Sequence, residues 1–154
     1  MTGRSVVHAS FCIERTYKAP RPKVFQAFAD FDQKSKWFGG GTPGLIWDMD
    51  FRVGGREHCE GNVEVHGTSH HSRFDAIYFD IIANERIIYA YDMDVNGDHV
   101  SASLTTIEFA DAREGTRLKF TENGAFLDGY EDPKLREDGT KGLLEAIAAV
   151  VEAE

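Results

Sequence analysis

The chain has 154 residues, 42% of them hydrophobic, and a formal net charge of −9. That length accommodates one domain with a sizeable core. The negative sign argues against a nucleic-acid backbone or an anionic membrane surface as the main partner, and no apolar run is long enough to span a bilayer.

The N-terminal stretch MTGRSVVHAS lacks the apolar centre of a signal peptide, so a cytoplasmic location is expected. Cys12 and Cys59 have no CxxC spacing and read as reduced thiols. A first strand is expected over residues 6–17, ending at the Pro20/Pro22 pair, which suits a helix entry. Val24, Phe25, Ala27 and Phe28 recur at helical spacing and place a short helix that ends near Asp30. Asp32 is the expected N-cap of a second short helix through Trp37, which the run Gly39-Gly40-Gly41 ends.

Residues 45–53 alternate as a strand, with Leu45, Trp47, Met49, Phe51 and Val53 on one face. Gly54-Gly55 reads as a tight turn into a more polar strand over 56–66, and Gly67-Thr68 as the next turn. Residues 70–94 then form a long hairpin about Asn84–Glu85. Ile87, Tyr89, Tyr91 and Met93 share one face and Ile88, Ala90, Asp92 and Asp94 the other. The acidic pair favours water, so the Tyr/Met row is expected to point inward. Asn96-Gly97 is a strong hairpin turn. In the strand over 100–109, Val100, Ala102 and Leu104 differ in parity from Ile107 and Phe109, and a bulge would reconcile them. The last strand runs over 116–122, with Leu118 and Phe120 on one face, and Asn123-Gly124 is expected to close the sheet. Pro133 opens a C-terminal helix with an apolar stripe of Leu143, Leu144, Ile147, Val150 and Val151. Gly139 and Gly142 suggest a kink or break near its start.

The order is strand, two short helices, about six further strands, and one long helix. This is an α+β pattern in which a long antiparallel sheet must twist and curl. A single amphipathic helix covers only part of the concave face, and the two short helices close over the rest. The gap between helix and sheet is where a ligand would sit.

The segments RTYKAPRPKVFQAFAD (15–30), KWFGG (36–40), DFRVGGREH (50–58), FDIIANERIIYAYDM (79–93) and FTENGAFLDG (120–129) follow this order along nearly the whole chain. In them the chain resembles the SRPBCC (START-like, helix-grip) superfamily. Within it the likeness is to the Hsp90-ATPase-activator-homologue-1-like, or polyketide cyclase-like, family. The resemblance implies one helix-grip (START-like/Bet v 1-like) domain over 1–154. It would hold a curved antiparallel sheet of about 6–7 strands, two short helices after the first strand, and a long C-terminal helix over the concave face. It implies three functional classes: a carrier of hydrophobic ligands, a cyclase, aromatase or hydrolase, and an Hsp90-type co-chaperone or stress-response interaction module. The activator co-chaperones carry a further N-terminal domain that this sequence does not show.

The leading expectation is a hydrophobic or aromatic small molecule bound by Trp37, Phe38, Trp47, Met49, His71, Arg73, Tyr89, Tyr91 and Met93. Arg73 would meet a carboxylate or enolate oxygen, with Asp75 or His71 as general base, if the 73/75/77 row is concave. Otherwise the pair is an exposed ion pair of small value. No cofactor is expected. No metal is expected at His58, His66, His70 or His71, because adjacent strand residues point to opposite faces. Phe74, Ala76 and Tyr78 are placed on the outer face, where their apolar row would favour a homodimer.

Overall fold

The computed structural model describes residues 3–65 and 67–153. His66 lies outside them. Seven strands form one antiparallel sheet: β1 (Val6–Tyr17), β2 (Ile46–Met49), β3 (Arg56–Val65), β4 (Thr68–Ile82), β5 (Arg86–Val95), β6 (Asp98–Ala112) and β7 (Gly115–Leu127). Their order across the sheet is β1-β7-β6-β5-β4-β3-β2. Every connection from β2 to β7 joins spatial neighbours. The one long crossing leads from β1 through α1 (Arg21–Ala29), α2 (Phe31–Lys34) and a 3-10 turn (Phe38–Gly41) to β2 at the far edge. The sheet curves around a final helix, α3 (Pro133–Val151). The element order is the one expected from turns and periodicity, and the arrangement is the helix-grip fold that the resemblance implies.

The core lies between the concave face and the helices. Leu144, Ile147 and Val151 of α3 are buried against Tyr17, Ile107 and Leu118. Phe25 and Phe28 of α1 meet Phe109 edge-on, at 5.5 and 5.7 Å between ring centroids. Tyr17 donates its hydroxyl to the carbonyl of Leu144 at 2.7 Å, tying β1 to α3. The Trp37 indole donates to the carbonyl of Ala27 at 2.8 Å and fixes the segment after α2.

Several local expectations are corrected. Asp30, not Asp32, caps α2: it has extended backbone geometry and accepts from the Gln33 amide at 3.2 Å. The β2 strand stops at Met49, because the chain folds back through Asp50–Gly55, where the Gly55 amide donates to the Arg52 carbonyl. Alternation therefore holds through Phe51 but leaves Val53 exposed. The β6 strand does carry a bulge, but at Val100: Met93 pairs with Ser101 and Asp94 with His99. Ser101, Ser103, Thr105, Ile107 and Phe109 then form the inward row, and Leu104 faces solvent. A second bulge in β4 leaves Phe79 between the Tyr78–Tyr89 and Asp80–Ile88 pairs, and exposed.

Two terminations also differ. The β7 strand passes through Asn123-Gly124 to Leu127, because β1 and β6 extend along both its sides and pair with it there. A Cβ on Gly124 would come within 2.9 Å of Phe126 and 3.0 Å of Ser103, so glycine serves close packing here and not a turn. The α3 helix is unbroken across Gly139 and Gly142. Asp132 caps its start by accepting from the Lys134 amide at 3.0 Å. Arg136 and Thr140 are held against the sheet ahead of the apolar stripe, so tertiary contacts override the weak local propensity.

Both glycines face solvent, and an added Cβ meets nothing within 4 Å. Gly139→Ala and Gly142→Ala are each expected to raise stability by about 0.5–1 kcal/mol, measured by denaturant unfolding. A loss of stability would mean that the helix does not run through them.

Candidate ligand cavity

The 3-10 turn, the concave faces of β3, β4, β5 and β7, and α3 line a partly open cavity of about 390 Å³. Its apolar wall is a chain of aromatic contacts. Trp37 meets Phe38 at 5.7 Å, Phe38 meets Phe74 at 5.1 Å, Phe74 meets Tyr91 at 4.9 Å and Tyr91 meets Tyr89 at 5.9 Å. Met93, Phe120, Leu143 and Leu144 complete it. Offset and edge-on geometries dominate, as ring quadrupoles favour.

Two buried polar clusters interrupt this wall. In the first, Lys34 from α2 reaches Glu57 on β3, Nζ to Oε1, at 2.6 Å, with both side chains almost wholly buried. Glu57 also accepts from the Trp47 indole at 2.9 Å and from the Tyr78 hydroxyl. The Lys34 ammonium sits 4.8 Å from the centre of the Phe38 ring, and the residue lines the cavity. Three donors on one carboxylate offset the cost of burying it.

In the second, Glu122 on β7 accepts from the Tyr91 hydroxyl at 2.9 Å and from the Thr105 hydroxyl at 3.0 Å. Arg136 on α3 donates to the Tyr91 oxygen and to Ser101, each at 2.9 Å, and forks onto Glu131 with two bonds of 2.8 Å. Burial raises the Glu122 pKa above the ordinary carboxylate value, and Tyr91, Arg136 and Thr105 only partly oppose it. Burial likewise pushes the Cys59 thiol on the cavity wall up to about 11, so it stays protonated at neutral pH. The Tyr89 and Tyr91 hydroxyls are raised by burial as well and remain neutral donors.

Of the residues singled out from sequence, Trp37, Phe38, Tyr89, Tyr91 and Met93 come together on this wall. Trp47 stands behind it, tilted against Phe38 at 5.6 Å and bonded to Glu57. Met49 is half-buried on β2 and does not reach the wall. His71 and Arg73 are corrected: they lie on the opposite, convex face. The row 74/76/78 is the inward one, with Phe74, Ala76 and Tyr78 all buried. It is the more apolar of the two rows, and the curved face must exclude water. The outward apolar row on which a homodimer was expected is therefore absent.

Lys34, Glu57, Glu122 and Arg136 were missed. For Glu122 a signal existed: it continues the inward phase of Leu118 and Phe120. Arg136 likewise shares a helix face with Thr140 and Leu144 at spacings of four. Lys34 and Glu57 meet across the long crossing, and no local pattern joins them.

On the convex face, His58 contacts Asp75 at 2.6 Å and Glu60 at 3.0 Å, and His71 contacts Glu60 at 2.8 Å. Arg73 pairs with Asp94 and Asp75. Among the described residues no group of three or more His, Cys, Asp or Glu side chains is arranged to hold a metal.

A curved antiparallel sheet clasping a C-terminal helix, with short helices closing one end, defines a helix-grip protein of the SRPBCC superfamily. The family model for "Activator of Hsp90 ATPase homolog 1-like protein" matches residues 18–152, and the chain belongs to that family. An uncharacterized protein from Rhizobium leguminosarum is similar at 41% identity and a TM-score of 0.89, over 99% of this chain and 100% of that one. The Mll3558 protein from Rhizobium loti is similar at 45% identity and a TM-score of 0.84, over 94% and 98%. An AHSA1-like protein from Aeromonas hydrophila shares the fold at 19% identity and a TM-score of 0.69, over 94% and 92%. No curated protein matches the chain.

Removing one partner of the buried pair should be costly. Glu57→Ala is expected to lose about 3–5 kcal/mol, and the double variant Lys34→Met/Glu57→Gln clearly less, in denaturant unfolding. Equal losses would show that the charges are not coupled. Asp75 chiefly raises the His58 pKa above its ordinary value, with Glu60 adding to it. Its stabilisation is thus full below about pH 6.5 and fades as pH rises through the raised value. Asp75→Asn is expected to lower the His58 midpoint in an NMR titration and to remove that part of the pH dependence.

Proposed function

We propose that the chain binds an apolar small molecule with aromatic rings in the cavity between α3 and the sheet. The observation that carries this reading is the unfilled volume of about 390 Å³ inside a wall of aromatic and aliphatic side chains. That volume falls within the range of small-molecule sites. Its polar groups are few and buried, which suits orientation of a ligand more than binding of a highly polar one. The family's fold supports a ligand-binding or related domain, and no helix of the described residues is long and apolar enough to cross a membrane.

A polarity-sensitive naphthalene dye should gain fluorescence on mixing with the protein and be displaced by apolar aromatics. Leu143 lines the cavity from α3, so Leu143→Trp should fill it and weaken dye binding about tenfold or more while the fold is retained. Unchanged binding in that variant would place the dye elsewhere.

Glu122 favours a second reading, an enzyme of the cyclase, aromatase or hydrolase kind. A carboxyl group with a raised pKa on a cavity wall, hydrogen-bonded by Tyr91, is suited to giving or taking a proton. This moves the acid–base role away from His71, Asp75 and Arg73. Glu122→Gln should then abolish turnover with little effect on ligand affinity. The co-chaperone reading rests on the family description alone.

A further inference from the structure

The Lys34 ammonium has more donors than partners. It carries three N–H groups, and among the described residues Glu57 is its one hydrogen-bond acceptor. Its side chain is only 5% exposed, so little of it meets bulk water. What else surrounds the nitrogen is aromatic: the Phe38 ring at 4.8 Å and the Phe74 ring at 5.9 Å. All three residues line the cavity. A buried ammonium with unmatched N–H groups is incomplete, and an acceptor oxygen placed in the cavity would complete it.

Resting on the cavity reading above, we propose that the ligand is a neutral planar aromatic compound with a carbonyl oxygen, an aryl ketone or quinone, that accepts a hydrogen bond from Lys34. Charge selects the neutral acceptor. Glu57 already balances Lys34 at 2.6 Å, so a carboxylate or phosphate would bring an unbalanced negative charge into a buried site at a net cost. The aromatic part follows from Trp37, Phe38, Phe74 and Tyr91, whose rings flank the same space. Size follows from the volume. A volume of about 390 Å³ lies in the range of small-molecule sites and accommodates about two or three fused rings with a short substituent.

The test uses three naphthalenes of matched shape, titrated by fluorescence or calorimetry: the methyl ketone (acetylnaphthalene), ethylnaphthalene and naphthoate. Acetylnaphthalene is the more water-soluble of the first two, so without a specific partner it would bind more weakly. The expected result is a ketone affinity about tenfold or more above that of ethylnaphthalene, with naphthoate weaker than the ketone. The carbonyl stretch of the bound ketone should also shift to lower frequency in the infrared. In Lys34→Met/Glu57→Gln, which removes both charges together, the preference and the infrared shift should vanish while ethylnaphthalene still binds. Should that variant fail to fold, the infrared shift and the ligand ranking on the unaltered protein decide. Ethylnaphthalene binding as tightly as the ketone would overturn the assignment, as would a preference that survives loss of Lys34. Tighter binding of naphthoate would overturn the neutral-acceptor choice. If none of the three binds, the cavity reading itself fails.

Discussion

The structure depends on how α3 is attached to the sheet. It is held at separated points and not along its whole length. Near its start, Arg136 is locked to Glu131, Tyr91 and Ser101. Farther along, the Leu144 carbonyl accepts from Tyr17, and Ile147 and Val151 sink into the core with α1. The curved sheet falls away from the helix toward β4 and β3, and the 3-10 turn closes that side without filling it. A helix packed flush along its length would leave a solid core and no cavity.

The polar clusters follow from the same geometry. A curved sheet aims the inward side chains of distant strands at one another, so Glu57 on β3 and Glu122 on β7 enter the same interior from opposite sides. Each carboxylate is then surrounded by hydroxyl, indole or cationic donors from other elements. Tyrosine serves both clusters: Tyr78 reaches Glu57, and Tyr91 reaches Glu122. The aromatic row thus has two roles. Its rings form the apolar wall, and its hydroxyls keep the buried carboxylates hydrogen-bonded in a low-dielectric interior.

Much of the fold was legible because strand alternation and turn chemistry are local. β1 was bounded correctly, and Asn84 and Asn96-Gly97 marked turns whose positive φ angles demand such residues. The Tyr/Met face of β5 was read inward because Asp92 and Asp94 decide the other face. The same logic misjudged β4, where two apolar rows compete and a bulge at Phe79 shifts the phase. It also ended β7 too early at Asn123-Gly124, a dipeptide that reads as a turn until strands on both sides hold it extended. Only the aromatic part of the candidate wall and Met93 were legible, for a related reason. Aromatic residues announce themselves, whereas a buried lysine or glutamate looks like a surface residue until its partner is found.

The sequence by itself determined the element order, the turn positions, the inward aromatic strand and the likeness to a helix-grip family. All of these rest on interactions between residues close along the chain or on a pattern carried through it. Tertiary structure alone decided which face of β4 is wet, that α3 runs unbroken over its glycines, and that Lys34 meets Glu57 while Arg136 meets Tyr91. Those outcomes join residues up to 45 positions apart. Only the curvature of the closed register brings them within hydrogen-bonding distance, and only exclusion of water makes their charges matter.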